Sequence, residues 1–554
     1  MLMERRAEVM FTGGHIWTGV ERRGPLDSVA VRGGRVVAMG TEADLAWARG
    51  PRTRVIQLDG RLLVPAFGDA HVHPLLGGLG LSRCWLSDQP EDVGAYLAAI
   101  GAYAAAHPER PWIVGEGWSM SAFPGGIATA ALLDEIVPDR PVYLESRDGH
   151  SVWVNSAAMQ AAGIGPATVD PAHGRIERNA EGIPVGTLQE HAIHLASRQL
   201  PPTSAVELEE GLRRGQAELQ RLGIGSWQDA FADAEQQAVY LALAGRGELT
   251  GRAAIALLWD VDRGLEQVPE LVARRQAVAD AGAGRVRAQT VKIFQDGIVE
   301  NGMAAMLAPY LDGNGRPRGD RGDSIHGLGA LRDLCVALDD ARFSIHAHAI
   351  GDRAVREVLD ALTAARRTNG PRDSRHQIAH LQFVDPEDLP RFGALGVIAN
   401  LQPYWAFDDG AADDLTRAQV GDDRADRMYP FGSLARLGAP LAIGSDWSVT
   451  TPDPMALLEV ATRRVDPKRP DSQPLGPSWE RLSVETAMRA YTRGSAVANG
   501  LEDEAGTIEL GRPADLVLLD RDPMSGPGVA FRDTRVLLTM VDGRVVWEDP
   551  ALDP

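Results

Sequence analysis

The sequence has very little cysteine. Cys84 and Cys335 are the only two in 554 residues. They cannot form the disulfide framework of a small secreted fold, and two thiols so far apart are more often simply buried. Long apolar runs are missing too; none approaches the roughly 18 residues that span a bilayer. The opening stretch MLMERRAEV has neither the apolar core of a signal peptide nor a cleavage-like site. Positive charge is in deficit. Lys and Arg number 56 against 76 Asp and Glu, a net charge of −20. That field repels a polyanion, so nucleic acid is set aside as a partner. Repeats and low-complexity tracts are also lacking. What remains is the expectation of a soluble, cytoplasmic protein with no membrane partner, of ordinary globular composition.

The two ends of the chain read alike. Glu8–Ile16, Ser28–Met39 and Arg54–Leu58 are strand-like, with turns at Gly13-Gly14 and Gly33-Gly34. Near the other end, Ala514–Asp520 and Arg535–Trp547 are strand-like, the second broken by an Asp542-Gly543 hairpin turn. Residues 1–61 and 505–554 are therefore expected to meet in one composite β-sandwich. The middle, 62–504, alternates apolar strands with helical stretches, which predicts parallel βαβ units. Candidate strands are Leu62–Ala66, Gly225–Gln228, Ala253–Trp259, Arg287–Phe294, Phe343–His348, His376–His380, Gly396–Leu401 and Leu441–Gly444. Eight such strands predict an α/β chain built on a TIM-type (β/α)8 barrel, with its site at the C-terminal strand ends. The long interval after the first strand cannot be a structureless loop. Residues 84–205 are expected to form an inserted α/β subdomain over the barrel mouth. Asp408–Asp426 is polar and acidic and reads as a mobile loop or lid.

Chemistry gathers at the strand ends. In AFGDAHVHP, His71 and His73 are two apart, so on an extended strand they face one side. Two imidazoles on one face can ligate one ion. Lys292 lies inside the apolar run TVKIF, where a lysine is costly unless paired or modified. SIHAHAIGD supplies His346 and His348, QIAHLQ supplies His380, and AIGSDWS supplies Asp446. Each alone has an ordinary reading as a core histidine, a snorkelling lysine or a turn aspartate. Together they sit at five of eight expected strand ends, which chance rarely achieves.

The segments GDAHVHP, VKIFQDG, HAHAIGD, IAHLQ and GSDW resemble the amidohydrolase superfamily. Within it, the chain is similar to the branch of YtcJ-like proteins and N-substituted formamide deformylases. The likeness extends to DGHSVWVNSAAM, NLQPYW and GTIELGRPADLVLLD. It implies that His71 and His73 hold the more buried metal, and that Lys292 carries a CO2-derived carbamate bridging two metals. It implies His348 and His380 as ligands of the second metal, with His348 rather than His346 matching the motif. Asp446 would bind the first metal and serve as catalytic proton shuttle. Imidazole and carboxylate ligands suit two Zn2+ best, with Fe, Mn, Co or Ni admissible. Two such ions lie about 3.5–4 Å apart and acidify bound water. His150, in DGHSVWVN, is the catalytic candidate for stabilising the oxyanion, with a hydrogen-bonding role inside the subdomain as its structural reading. Deaminases of the superfamily usually carry HxxE on the fifth strand and no strand-four lysine. Here the run is His348-Ala-Ile-Gly351, which argues against them.

The resemblance says less about substrate. Trp118, Phe123, Trp153, Phe294, Tyr404, Trp405, Phe407 and Trp447 fall near strand ends or in the insert. A mouth rich in aromatics suits a small molecule with an apolar or aromatic group, although any one of them can be a core residue. Arg147 can meet a substrate carboxylate, or pair with Glu145 or Asp148. Gln295, Asp296 and Glu300 follow Lys292 and can line the pocket or support its ligands. The expected reaction is hydrolysis of an amide or N-formyl bond. Ester, lactone or carbamate hydrolysis by the same site and a non-catalytic binding barrel are the alternatives. Such barrels are commonly dimers, so a homodimer is the oligomer to look for.

Overall fold

The computed structural model describes residues 6–21, 24–408, 410–526 and 530–552. At its centre is an eight-stranded parallel sheet. Its strands are β1 (Phe67–Val72), β2 (Ile224–Ala232), β3 (Arg252–Leu258), β4 (Val286–Phe294), β5 (Ser344–Ala349), β6 (Gln377–His380), β7 (Ile398–Leu401) and β8 (Leu441–Ile443). Each pairs with the next in sequence, from β1 through to β8. The strands are buried along nearly their whole length, as parallel strands covered on both faces must be. The covering helices are amphipathic. Helix Asp352–Asn369 buries Ala354, Val355, Val358, Leu359, Ala361, Leu362 and Ala365, a stripe at helical spacing.

The seam between β1 and β8 closes beyond the last paired residues. The Ser445 N–H donates to Asp69 Oδ1 at 3.0 Å. The Asp446 N–H donates to the His71 carbonyl at 2.6 Å, and the His73 N–H to the Trp447 carbonyl at 2.5 Å. The residues that complete the barrel are thus the residues singled out for chemistry.

The first barrel strand differs from the expectation. Leu62–Pro65 is not in the barrel. It pairs antiparallel with Leu516–Leu519 and parallel with His15–Ile16. The switch takes one residue: the Ala66 N–H donates to the Asp515 carbonyl at 2.9 Å, and the Phe67 N–H to Gly223 at 3.0 Å. LLVPAFGDAHV is apolar almost throughout, and burial in two different sheets leaves no mark at the junction.

Three further sheets flank the barrel. Arg35–Gly40, Ser28–Arg32, Val9–Thr12 and Arg54–Gln57 form one of four strands. A five-stranded sheet orders His15–Ile16, Leu62–Pro65, Leu516–Leu519, Val536–Val541 and Arg544–Glu548. The two share a core that includes Phe11, Val29, Ile56, Leu63, Leu516 and Leu538. Between β1 and β2 lies a six-stranded mixed sheet, ordered Gly174–Arg178, Pro184–Glu190, Ser151–Val154, Val142–Ser146, Ile113–Trp118 and Cys84–Trp85. Asp408–Asp426, expected as a loop, carries helices Ala411–Val420 and Asp422–Ala425, and Asp409 lies outside the described residues. The segment is tied to the stretch after β4: the Thr416 hydroxyl donates to Glu300 Oε1 and the Gln419 amide to the Glu300 carbonyl, both at 2.7 Å. Polar composition hid a helix whose partners are supplied by a distant loop.

Helix Pro74–Gly80 begins directly after His73 and lies against helix Ala205–Arg221. A Cβ on Gly215 would fall 1.9 Å from the Pro74 carbonyl oxygen. This close approach holds the chain leaving His73. Among the described residues, no helix is long and apolar enough to cross a membrane.

Candidate active site

The ends of β1 and β8 bring three ligand-type side chains together. His71 Nε2 lies 3.3 Å from Asp446 Oδ1, and His73 Nε2 lies 3.4 Å from the same oxygen. All three residues are buried. Ligands at 2.0–2.1 Å from a tetrahedral zinc are separated by about 3.3 Å along the tetrahedron's edge. The observed spacings match that edge and exceed ordinary hydrogen-bond lengths. His71, His73 and Asp446 therefore form a triad suited to one divalent metal ion.

The second group adjoins the first. His380 Nδ1 is 3.8 Å from Asp446 Oδ2. The His380 and His348 rings stand 4.4 Å apart between centroids. His348 Nε2 is buried without a hydrogen-bond partner, an orphaned donor atom of the kind a metal would satisfy. Burial, and then neighbouring cationic groups, hold the His71, His348 and His380 imidazoles well below their usual pKa. Neutral imidazole is the ligating form. Lys292 is only 1% exposed, and its Nζ sits 4.8 Å from the Phe294 ring centroid. Burial lowers its pKa to about 7. It is one of two lysines in the chain, the other being Lys468. His380 and Asp446 both adopt positive φ, 76° and 61°. Such backbone costs about 1–3 kcal/mol per residue and is held by surrounding structure.

Several residues support the ligands; His346 and Asp296 are candidates from the sequence, whereas Asp69 and Asp229 are not. His346 Nε2 is 2.9 Å from His71 Nδ1, so the first histidine of SIHAHAIGD orients a ligand on β1. Asp69 accepts the His71 N–H at 3.0 Å, and its two-residue spacing from His71 is the one hint available. Asp229 lies 3.9 Å from His73 Nδ1 and accepts the Tyr240 hydroxyl at 2.9 Å; burial pushes it up to about 8. Asp296 accepts the N–H groups of Ile350, Gly351 and Ala305 at 3.0, 2.8 and 2.9 Å, fixing the turn that follows His348. Gln402 Oε1 accepts the His380 N–H at 2.6 Å. If His346 orients His71, His346→Ala is expected to weaken metal retention about 10–100-fold, read as the chelator concentration that strips the ion. Unchanged retention would remove that role.

His150 reaches the site from the inserted sheet, its ring 5.4 Å from that of His348. Its Nδ1 is 2.9 Å from Glu190 Oε2. Burial pulls this imidazole down, but the Glu190 carboxylate more than offsets it and holds it at about 9. Two phenylalanines also line the ligands: the Phe231 ring is 5.0 Å from that of His73, and the Phe294 ring 5.3 Å from that of His348. They give the site an aromatic wall fit for a small apolar group.

The remaining expected substrate contacts are more scattered. Trp118 is fully buried, donates its indole N–H to the Leu144 carbonyl at 2.8 Å and packs on Phe123 and Trp153. It belongs to the apolar core that the insert shares with the barrel. Arg147 pairs with Glu91, not with Glu145 or Asp148. Glu300 receives the Thr416 hydroxyl. Tyr404 and Trp405 form a half-buried turn after β7, with Tyr404 edge-on to Phe407.

An eight-stranded barrel with a buried His-His-Asp triad at its strand ends defines a metal-dependent hydrolase. The amidohydrolase family matches residues 54–547, and the chain belongs to it. It is an enzyme of that type, acting on carbon–nitrogen bonds other than peptide bonds. YtcJ of Bacillus subtilis (strain 168) is 28% identical over 553 residues, covering 98% of this chain and 99% of YtcJ. An N-substituted formamide deformylase from Arthrobacter pascens is 27% identical over 563 residues, covering 99% of each. A metal-dependent hydrolase from Pyrococcus furiosus shares the fold, with a TM-score of 0.70 at 22% identity over 93% of this chain and 100% of that one.

Proposed function

We propose that the enzyme hydrolyses a small amide or N-substituted formamide whose nitrogen bears an apolar or aromatic group. The observation that carries this reading is the spacing of His71, His73 and Asp446, which fits one ion's coordination shell. His348, His380 and Lys292 extend the set to six and would hold a second ion. Lys292 supports this directly: burial lowers its amine to about 7, so a substantial share is neutral near neutral pH. A neutral amine can add to CO2 through its lone pair and lose a proton, leaving a carbamate with a carboxylate-like end. The bound metals, two Zn2+ in the first instance, would supply an acidified water and polarise the carbonyl.

The chain's own groups do the rest. Asp446 takes the proton of the attacking water and delivers it to the departing nitrogen. His150 donates a hydrogen bond to the carbonyl oxygen as charge builds there. Phe231 and Phe294 shelter the apolar substituent. Water thus adds to the carbonyl carbon, the C–N bond breaks, and the amine leaves with the transferred proton. We further propose residues 1–61 with 505–554 as one unit, joined by the strand Leu62–Pro65, and the rest of 62–504 as the barrel unit, with 84–205 inserted in it. Both cysteines are free and buried, as a reducing cytoplasm allows.

The test compares an N-arylmethyl formamide with the formate ester of the same shape, using metal-loaded protein. The formamide should be turned over, chelation should abolish activity, and zinc should restore it. Hydrolysis of the ester alone would transfer the assignment to ester or lactone chemistry. Full activity in metal-free protein would end the metal reading.

A further inference from the structure

His150 and Glu190 both come from the inserted sheet. Ser151 pairs with Gln189 in antiparallel register, which sets His150 opposite Glu190, and the Glu190 N–H donates to the His150 carbonyl at 2.9 Å. The side chains then meet a second time at 2.9 Å, Nδ1 to Oε2. A carboxylate can only accept, so Nδ1 carries a proton; a ring paired with an anion in this way is suited to the imidazolium form, in which Nε2 also carries a proton and is left free to donate to another partner.

The carboxylate is also held from the barrel side. Asn301 Nδ2 donates to Glu190 Oε1 at 2.8 Å, and Asn301 Oδ1 receives the Met303 N–H at 3.0 Å. Gly297, three residues past β4, leaves room for this: a Cβ there would fall 2.4 Å from Glu190 Oε1. Glu190 itself has φ +50°, a conformation a glutamate adopts only when its surroundings enforce it. Two separate parts of the fold therefore converge on one carboxylate, which grips one imidazole beside His348.

We propose that Glu190 is a positioning residue for catalysis, clamped by Asn301 and Gly297, that fixes the His150 ring so that Nε2 faces the substrate carbonyl. This rests on the reading of His150 as the carbonyl's hydrogen-bond donor. It makes the insert a contributor to the reaction centre, and it makes the contact between insert and barrel a condition for activity.

The experiment is a double-mutant cycle on the metal-loaded enzyme, scoring kcat, KM, bound metal and melting temperature. Glu190→Gln should lower kcat about 10–100-fold, the usual scale for a residue supporting a ligand or catalytic group, with KM and metal content close to wild type. Glu190→Asp should recover part of the loss. In a His150→Gln background, Glu190→Gln should cost almost nothing more, because residues acting as one unit are non-additive. Asn301→Ala, which keeps both His150 and Glu190, should give a smaller fall in kcat and serves if Glu190→Gln folds poorly. An equal loss from Glu190→Gln with and without His150 would overturn the proposal, as would wild-type kcat in both Glu190→Gln and Asn301→Ala. His150→Gln at wild-type kcat would instead remove the donor role of His150, and the clamp's function with it, while leaving the metal assignments intact.

Discussion

Lys292→Ala is expected to lose bound metal and to lower kcat/KM by at least about 10²–10³-fold, the scale of removing one electrostatic anchor at a reacting centre. The reason is specific to this position. A fully buried ammonium near the imidazoles of His71, His346, His348 and His380 is unfavourable, and burial, partly opposed by the Asp446 carboxylate, brings the amine's pKa to about 7. As a carbamate it would become anionic and complement the metals it bridges. Short carboxylic acids should partly rescue the variant by entering the vacated space. Lys292→Arg should fail without rescue, since a guanidinium neither loses its proton nor takes up CO2. Labelled bicarbonate should yield one carbamate signal in 13C spectra, retained in Lys468→Arg and lost in Lys292→Arg. A Lys292→Ala enzyme with full metal content and full rate would refute the carbamate.

Asp446→Asn should fold normally and lose about 10²–10⁴-fold in kcat, the range for removing a general acid–base group. Asparagine keeps the shape and the backbone bond from residue 446 to the His71 carbonyl, so melting temperature should stay near that of wild type. The rate is to be measured at saturating zinc, so that weaker metal binding does not account for the fall. Near-normal turnover under those conditions would remove Asp446 as proton shuttle. The two substitutions have different signatures: the first is chiefly a loss of metal, the second a loss of turnover with metal present.

What could be read ahead of the structure follows from how locally each feature is encoded. Barrel strands buried on both faces are continuous apolar runs, and seven of the expected eight fall on strands of the central sheet. The exception, Leu62–Ala66, failed because one apolar stretch serves two sheets in succession. His71, His73, His348, His380, Lys292 and Asp446 were visible because each ends or interrupts such a run. Which ligand each supporting residue serves was not. His346 serves His71 across 275 positions of sequence, and Glu190 serves His150 across a sheet whose register only pairing reveals. Arg147 has plausible acidic neighbours at 145 and 148 but pairs with Glu91, because the chain turn, not proximity in sequence, decides which carboxylate it meets. Trp118 looked like a pocket residue because composition cannot tell an aromatic core from an aromatic mouth.

The strand Leu62–Pro65 has a consequence for when the site can exist. It runs without interruption into β1, and so into His71 and His73. Its own neighbour is Leu516–Leu519, a segment that follows every strand of the barrel in sequence. A nascent chain thus carries His71 and His73 through the making of all the other barrel strands with the adjoining strand edge unpaired. His71 and His73 are thus made long before the strand that steadies the segment leading into them, and removing Leu516–Leu519 is expected to disturb a centre from which those residues are absent.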